Sequence, residues 1–219
     1  MRVLGFDTAT ADTAAALLLC DGALLEAREG PDGGGRPRHA QRLLALAAGL
    51  LEEAGLGFAD VDLIAAGTGP GSYTGLRIAL ATARGIARGA DARLVGVSTL
   101  RALAEPLGER PVAAIIDARR GEAFVGVYEG SRELAGPRVC RPEELPATVA
   151  SGGPQCLAVG DGALRFLELL ERAGVAVAAA GSDLHRVSAG AICRLAAGGS
   201  CAAAEPAYLR APDAERSRN

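Results

Sequence analysis

"RVLGFDTATADTAAALLLCDG", residues 2–22, and "PVAAIIDARRGEAFVGVYEG", residues 111–130, follow one pattern. Each is an apolar run closed by an aspartate, then a polar turn, a second apolar run and another turn. Short apolar runs bounded by turn residues read as strands, so each stretch is a β-hairpin or the start of a meander with an Asp at its first turn. The two aspartates, Asp7 and Asp117, stand 110 positions apart in a chain of 219 residues. A pattern that returns after half the chain predicts a duplicated α/β unit. The expected division is an N-terminal lobe over residues 1–104 and a smaller C-terminal lobe over 105–219.

Working outward from the first hairpin, the Gly/Pro-rich stretch "EGPDGGGRPR" (29–38) reads as a loop. A helix is expected from His39 to Ala54, stopped by Gly55. "VDLIAAG" (61–67) reads as a buried strand, followed by a glycine loop, a helix over 74–88, the strand "RLVGVST" (93–99) and a short helix ended near Pro106. After the second hairpin the pattern is looser. It gives a Pro-rich connector over 137–154, a strand at "CLAVGDG", a helix near 163–173, a strand at "VAVAAA", a helix near 185–197 and a polar tail.

Composition bounds the function. Half the residues are hydrophobic but only four Phe and three Tyr are aromatic, so the core is aliphatic and few rings could stack on bases. A net charge of −3 is wrong for a protein that grips nucleic acid alone. The five cysteines (Cys20, Cys140, Cys156, Cys193, Cys201) have no C-x-x-C spacing, which points to reduced thiols in a cytoplasmic protein. Asp7 falls where a signal peptide needs apolar residues, and no apolar run approaches the ~20 residues of a membrane span.

The loop "GTGPGSYTGLR", Gly67–Arg77, invites three functional readings. A phosphate-binding P-loop needs a lysine, and all 23 basic side chains are Arg. A dinucleotide fingerprint needs a third glycine where Thr74 stands, and an acidic residue on the next strand that is missing. A helix N-terminus capped by Ser72 or Thr74 can hold an anion, yet the same residues serve any sharp strand-to-helix turn, which is the preferred reading.

Reactive groups are scarce. Neither His39 nor His185 has a second His four residues on, so no helical metal pair is expected, and no G-x-S-x-G elbow occurs. Asp7 and Asp117 could bind Mg²⁺ beside a nucleotide; the simpler reading is that each caps its own turn. The two helices have a surplus instead. If Ala40, Leu44, Ala47 and Leu51 face the core, Leu43, Leu46 and Leu50 form an extra apolar flank. On the next helix Ile78, Thr82 and Gly85 line a small-residue side opposite the core. Two adjacent helices with surplus apolar surface suggest a helix-to-helix partner interface.

"GTGPGSYTGLRIALATARGIARG", "RVLGFDTATADTAAALL", "IIDARRGEAFVGVY", "VGDGA" and "PAYLRAPDA", in order along nearly the whole chain, resemble the bacterial TsaB (YeaZ) family. The resemblance implies a two-lobed actin/Hsp70-like ATPase fold (ASKHA, duplicated RNase H-like). It implies a non-catalytic subunit needed for threonylcarbamoyl modification of the adenosine next to the anticodon of tRNAs that read codons starting with A. The partners implied are a TsaD-type catalytic subunit and a TsaE-type ATPase, with a homodimer when alone and tRNA met only through the complex. By position, the interface residues would be Leu43, Leu46, Leu50, Ile78, Thr82 and Gly85. No catalytic or metal residue and no required cofactor is implied; if ATP or ADP binds, Asp7, Thr8, Gly69, Gly71 and Ser72 would hold it. The alternative is a nucleotide-dependent phosphotransferase or hydrolase of the actin-like superfamily using Asp7 and Asp117.

Overall fold

The repeat in the sequence is a repeat in the sheets. The computed structural model describes residues 1–31 and 37–210. The middle of the Gly/Pro-rich loop and the polar tail, with the last residues of "PAYLRAPDA", lie outside the described residues.

The first sheet holds β1 (Val3–Asp7), β2 (Thr13–Leu18), β3 (Leu24–Glu29), β4 (Leu63–Gly67) and β5 (Arg93–Val97), in the order β3-β2-β1-β4-β5. β1 runs antiparallel to β2 and parallel to β4, and β4 is parallel to β5. The second sheet holds β6 (Pro111–Asp117), β7 (Ala123–Glu129), β8 (Arg132–Cys140), β9 (Leu157–Val159) and β10 (Ala176–Val177), in the order β10-β9-β6-β7-β8. β6 again runs antiparallel to the strand that follows it and parallel to β9. The two units thus share one topology, the duplicated RNase H-like arrangement of the actin-like fold.

In the first unit every residue of β1 and β4 is buried, as expected of strands covered on both faces. Leu4 and Phe6 point to a core shared with α1 (His39–Glu53) and α2 (Tyr73–Ala90). Gly5 faces the other way. A methyl there would run into Cys193 Sγ of α7 (Ala189–Ala197), and that thiol meets the carbonyls of Val3 and Ala16 at 3.5 and 3.4 Å.

The place of α7 corrects the expected lobe boundary. The chain divides into Met1–Ala102 with Val187–Pro206, and Leu103–Arg186 with the chain from Ala207. The switch between units falls two residues from the expected 104/105, inside α3 (Thr99–Ala104), but α7 returns to the first sheet. The physical reason is that the second face of that sheet needs a cover. Glu26 of β3 fixes it there, accepting the Ala189 N–H at 2.9 Å and the Ser188 hydroxyl at 3.2 Å.

Smaller differences follow the same logic. A separate third strand, β3, follows the turn at Asp21–Gly22. The expected connector from 137 begins as the end of β8 and continues into the short helix α4 (Leu145–Ala150). The helix near 163–173 is two helices, α5 (Asp161–Arg165) and α6 (Leu167–Arg172), meeting at Phe166.

Candidate docking face and the glycine loop beneath it

Each repeated aspartate makes the same local bond. The Ala9 N–H donates to Asp7 Oδ1 at 2.7 Å, and the Arg119 N–H to Asp117 Oδ1 at 2.8 Å. This is the turn in which an Asp side chain accepts from the backbone two residues on. Beyond that bond the two part. Asp117 is flanked by Arg119 at 3.4 Å and Arg165 at 3.5 Å, and its N–H is held by Asp161 Oδ1 at 3.0 Å. Burial pushes the Asp161 carboxyl up, helped by the Asp117 charge and opposed by the N–H groups it accepts.

Asp7 is fully buried, and its second oxygen accepts the Thr99 hydroxyl at 2.8 Å. Gly67, at the end of β4, lies against the same carboxyl so closely that a methyl there would collide with it. Burial raises the Asp7 pKa from 3.8 to about 6, against the lowering effect of the Ala9 N–H and the Thr99 hydroxyl. Between those pH values the folded protein keeps a proton that the unfolded chain has released. The stability from this group is therefore greatest below about pH 4 and falls as pH rises to about 6. Asp7→Asn removes the titration. Relative to this variant, the wild type should lose about 2 kcal/mol between pH 4 and 6.5. Denaturant melts across that range read the difference; parallel stability curves for the two proteins would contradict the burial of a titrating Asp7.

The rest of the loop is occupied by the chain itself. Gly69 donates its N–H to Thr99 Oγ1 at 3.0 Å and accepts the Thr99 N–H at 2.8 Å. The Ser72 N–H donates to the Ala9 carbonyl at 2.7 Å, while Ser72 Oγ caps α2 by accepting the Gly75 N–H at 3.2 Å. Thr8 Oγ1 donates to the Gly75 carbonyl at 2.7 Å. Side chains at Gly71 or Gly75 would strike the backbone of Ala9 or Thr8. The glycines are there because the β1–β2 turn lies against bare backbone. So Asp7, Thr8, Gly69, Gly71 and Ser72 are brought together, Asp7, Thr8, Gly69 and Ser72 by the hydrogen bonds above and Gly71 by its close approach to Ala9.

The same turn sets the start of α1. His39, the first residue of that helix, is buried and faces Thr13 Oγ1 through Nδ1 at 2.8 Å. Burial lowers its pKa, opposed by a bond to the Thr10 backbone and the Asp12 charge. A neutral ring that accepts from Thr13 and donates to Thr10 satisfies both partners. His185 is likewise committed, its ring nitrogens 2.9–3.2 Å from the carbonyls of Gly160, Ala178 and Ala179. Among the described residues no three His, Cys, Asp or Glu side chains cluster as metal ligands would.

The bonds to His39 and Ser72 fix how the two helices are rotated, and this corrects the expected flank of α1. Leu43 and Leu50 are 1% and 4% exposed, so they belong to the core with His39, Ala47 and Leu51. Leu46 is half-buried against that core. The free side is Gln41, Leu44, Ala45, Ala48, Gly49 and, at its C-terminal end, Glu52, with Leu44 50% exposed. The helix is Ala- and Leu-rich on all sides, so two stripes about one residue apart are equally apolar in sequence. The His39 bond decides between them.

On α2 the core takes Gly75, Leu76, Ala79, Leu80, Ala83 and Ala87. Ile78 and Thr82 are half-buried, while Ala81 and Gly85 are exposed. Above Gly49, Gly85 and Gly89 there is open space. α1 and α2 pack together on one face of the sheet, so their free sides form one surface, small and apolar around Leu44, Ala48, Ala81 and Gly85 and polar at Gln41, Glu52 and the α2 arginines.

Comparisons with known proteins fit this geometry. The TsaB protein of tRNA threonylcarbamoyladenosine biosynthesis from Escherichia coli is 31% identical over 96% of this chain and 95% of its own. The solved structure titled "YeaZ from Pseudomonas aeruginosa" matches with a TM-score of 0.78 at 32% identity, covering 95% of this chain and 99% of that one. The chain belongs to the TsaB (YeaZ) family. The matching family model is described as "TsaD: tRNA N6-adenosine threonylcarbamoyltransferase" and spans residues 34–215. A protein of that name from Novosphingobium aromaticivorans is 34% identical over 137 residues, 52% of this chain and 39% of its own length. This TsaB family member is therefore also related in sequence to the transferases themselves.

Proposed function

We propose that this chain is a non-catalytic subunit of the system that places threonylcarbamoyl on the adenosine next to the anticodon of tRNAs reading codons that start with A. It acts by docking the free side of α1 and α2 on a TsaD-type transferase, in the cytoplasm, with a TsaE-type ATPase joining the assembly. It requires no cofactor and no metal of its own, and meets tRNA through the complex. Without its partner, the same face pairs with a second copy.

One observation carries the reading. Gly49, Gly85 and Gly89 stand in helices with nothing over them. A glycine inside a helix costs about 1 kcal/mol against alanine, and at these three positions no neighbour among the described residues requires it. Glycines of this kind let another helix approach closely, and the half-exposed Leu44 offers that helix an apolar contact.

The alternative, phosphotransfer through Asp7 and Asp117, is disfavoured because Asp7 is buried against Gly67 and Thr99 and Asp117 is flanked by two arginines. A reconstituted modification assay tests the choice. The chain alone should transfer nothing to tRNA, and the TsaD-type transferase of the same source should lose nearly all activity when the chain is omitted. Modification, or steady ATP hydrolysis, by the purified chain alone would overturn the reading.

A further inference from the structure

The docking reading uses the small centre of the free side of α2 but not its edge. Along that edge stand Arg77, Arg84 and Arg88, all exposed, at separations of seven and four residues that place them in one row. The 18 residues of α2 contain no Asp or Glu, while the whole chain has a net charge of −3. The row is therefore a local concentration of positive charge on an acidic protein. Among the described residues none of the three pairs with a carboxylate. Arg77 lies over the Tyr73 ring at 5.5 Å, Arg84 donates to the Ala204 carbonyl at 3.0 Å, and Arg88 stands in the last turn of the helix.

We propose that this row chooses the occupant of the docking face: a partner helix that carries carboxylates along the edge meeting Arg77, Arg84 and Arg88. The inference rests on the docking reading and adds a charge rule to it. Complementary charges around an apolar contact set partner choice and encounter rate more than raw affinity. The same row works against self-pairing. A two-fold axis that lays α2 antiparallel on its own copy brings both rows to the same side of the contact. With the axis crossing near the middle of α2, Arg77 of one copy stands near Arg84 or Arg88 of the other, and α2 has no acid of its own to offset them. Like-charge juxtaposition of this kind is how one interface discriminates between two related occupants. RNA phosphate would also meet the charge of the row. The uncharged centre formed by Ala81, Gly85 and Leu44 suits apolar side chains instead, which favours a protein helix.

The test is the double variant Arg77→Glu/Arg88→Glu in the full chain, leaving Arg84 to hold Ala204. The probe is the TsaD-type transferase of the same source, at low and high sodium chloride, with sedimentation of the chain alone in parallel. For the wild type, salt should weaken binding of the transferase and strengthen self-association, because screening removes attraction in one case and repulsion in the other. At low salt the double variant should bind the transferase roughly tenfold more weakly or worse, with its salt dependence flattened. Unchanged affinity and salt dependence would overturn the proposal. So would a variant that binds the transferase normally while the assembled complex loses tRNA, since the row would then serve RNA. Leu44→Glu separates the two levels. If that change breaks the complex and the arginine variant does not, the face stands and the charge rule falls. If neither breaks it, the docking reading itself fails.

Discussion

Gly75→Ala is expected to destabilise the protein by about 3 kcal/mol, and Gly85→Ala, in the same helix, to stabilise it by up to about 1 kcal/mol. Both positions are helical glycines, and by propensity alone both replacements should help. What separates them is the space above each. A methyl at Gly75 would collide with the Thr8 carbonyl oxygen. That oxygen cannot yield, because Thr8 is also bonded through its hydroxyl to the Gly75 carbonyl and the β1–β2 turn is held again by the Ser72–Ala9 bond. Relief would have to move α2 off the turn that positions it. A methyl at Gly85 meets nothing within 4 Å. Urea titrations of the two variants read the opposite signs directly. Two stabilised variants would mean that α2 does not start against the β1–β2 turn.

The fold was largely legible because its signal is local and repeated. An apolar run, an aspartate and a second apolar run need no knowledge of distant contacts, and they recur at Asp117 with the same side-chain bond to the backbone two residues on. The glycine loop was legible for the same reason: glycines before a helix mark backbone that another segment touches. What touches it, the turn at Thr8 and Ala9, lies some sixty residues earlier and has no mark in the loop itself.

The misreadings have physical causes. β8 carries Gly136 and Pro137, which argue against a strand in general but are tolerated at a sheet edge, where β8 stands. α7 looked like part of the second lobe because it follows it in the chain. Its place on the first sheet depends on Glu26 and on the bare Gly5, both far away in sequence. The rotation of α1 was lost because a helix of Ala and Leu has low contrast between its sides. The usable signal was His39, a polar first residue that must find partners if buried, with Thr10 and Thr13 at a polar turn to supply them.

That rotation also decides which side chain probes the docking face. Leu46 packs partly against the core, so a charge there would mix folding with binding. Leu44 does not have this fault: it is half exposed, and Leu and Glu differ little in helix propensity. Leu44→Glu should leave the melting of the isolated chain nearly unchanged, within the ±0.5 kcal/mol usual for surface changes. In a complex that covers this face it would bury an unpaired carboxylate, and loss of a central anchor typically costs about 2 kcal/mol or more, roughly thirtyfold in affinity. The most direct test is therefore sedimentation of Leu44→Glu mixed with the TsaD-type transferase of the same source, beside the wild-type mixture. The account predicts a folded variant that sediments apart from the transferase at concentrations where the wild type forms a complex. A folded variant that joins the transferase with wild-type affinity would contradict it, because the interface would then lie away from α1 and α2.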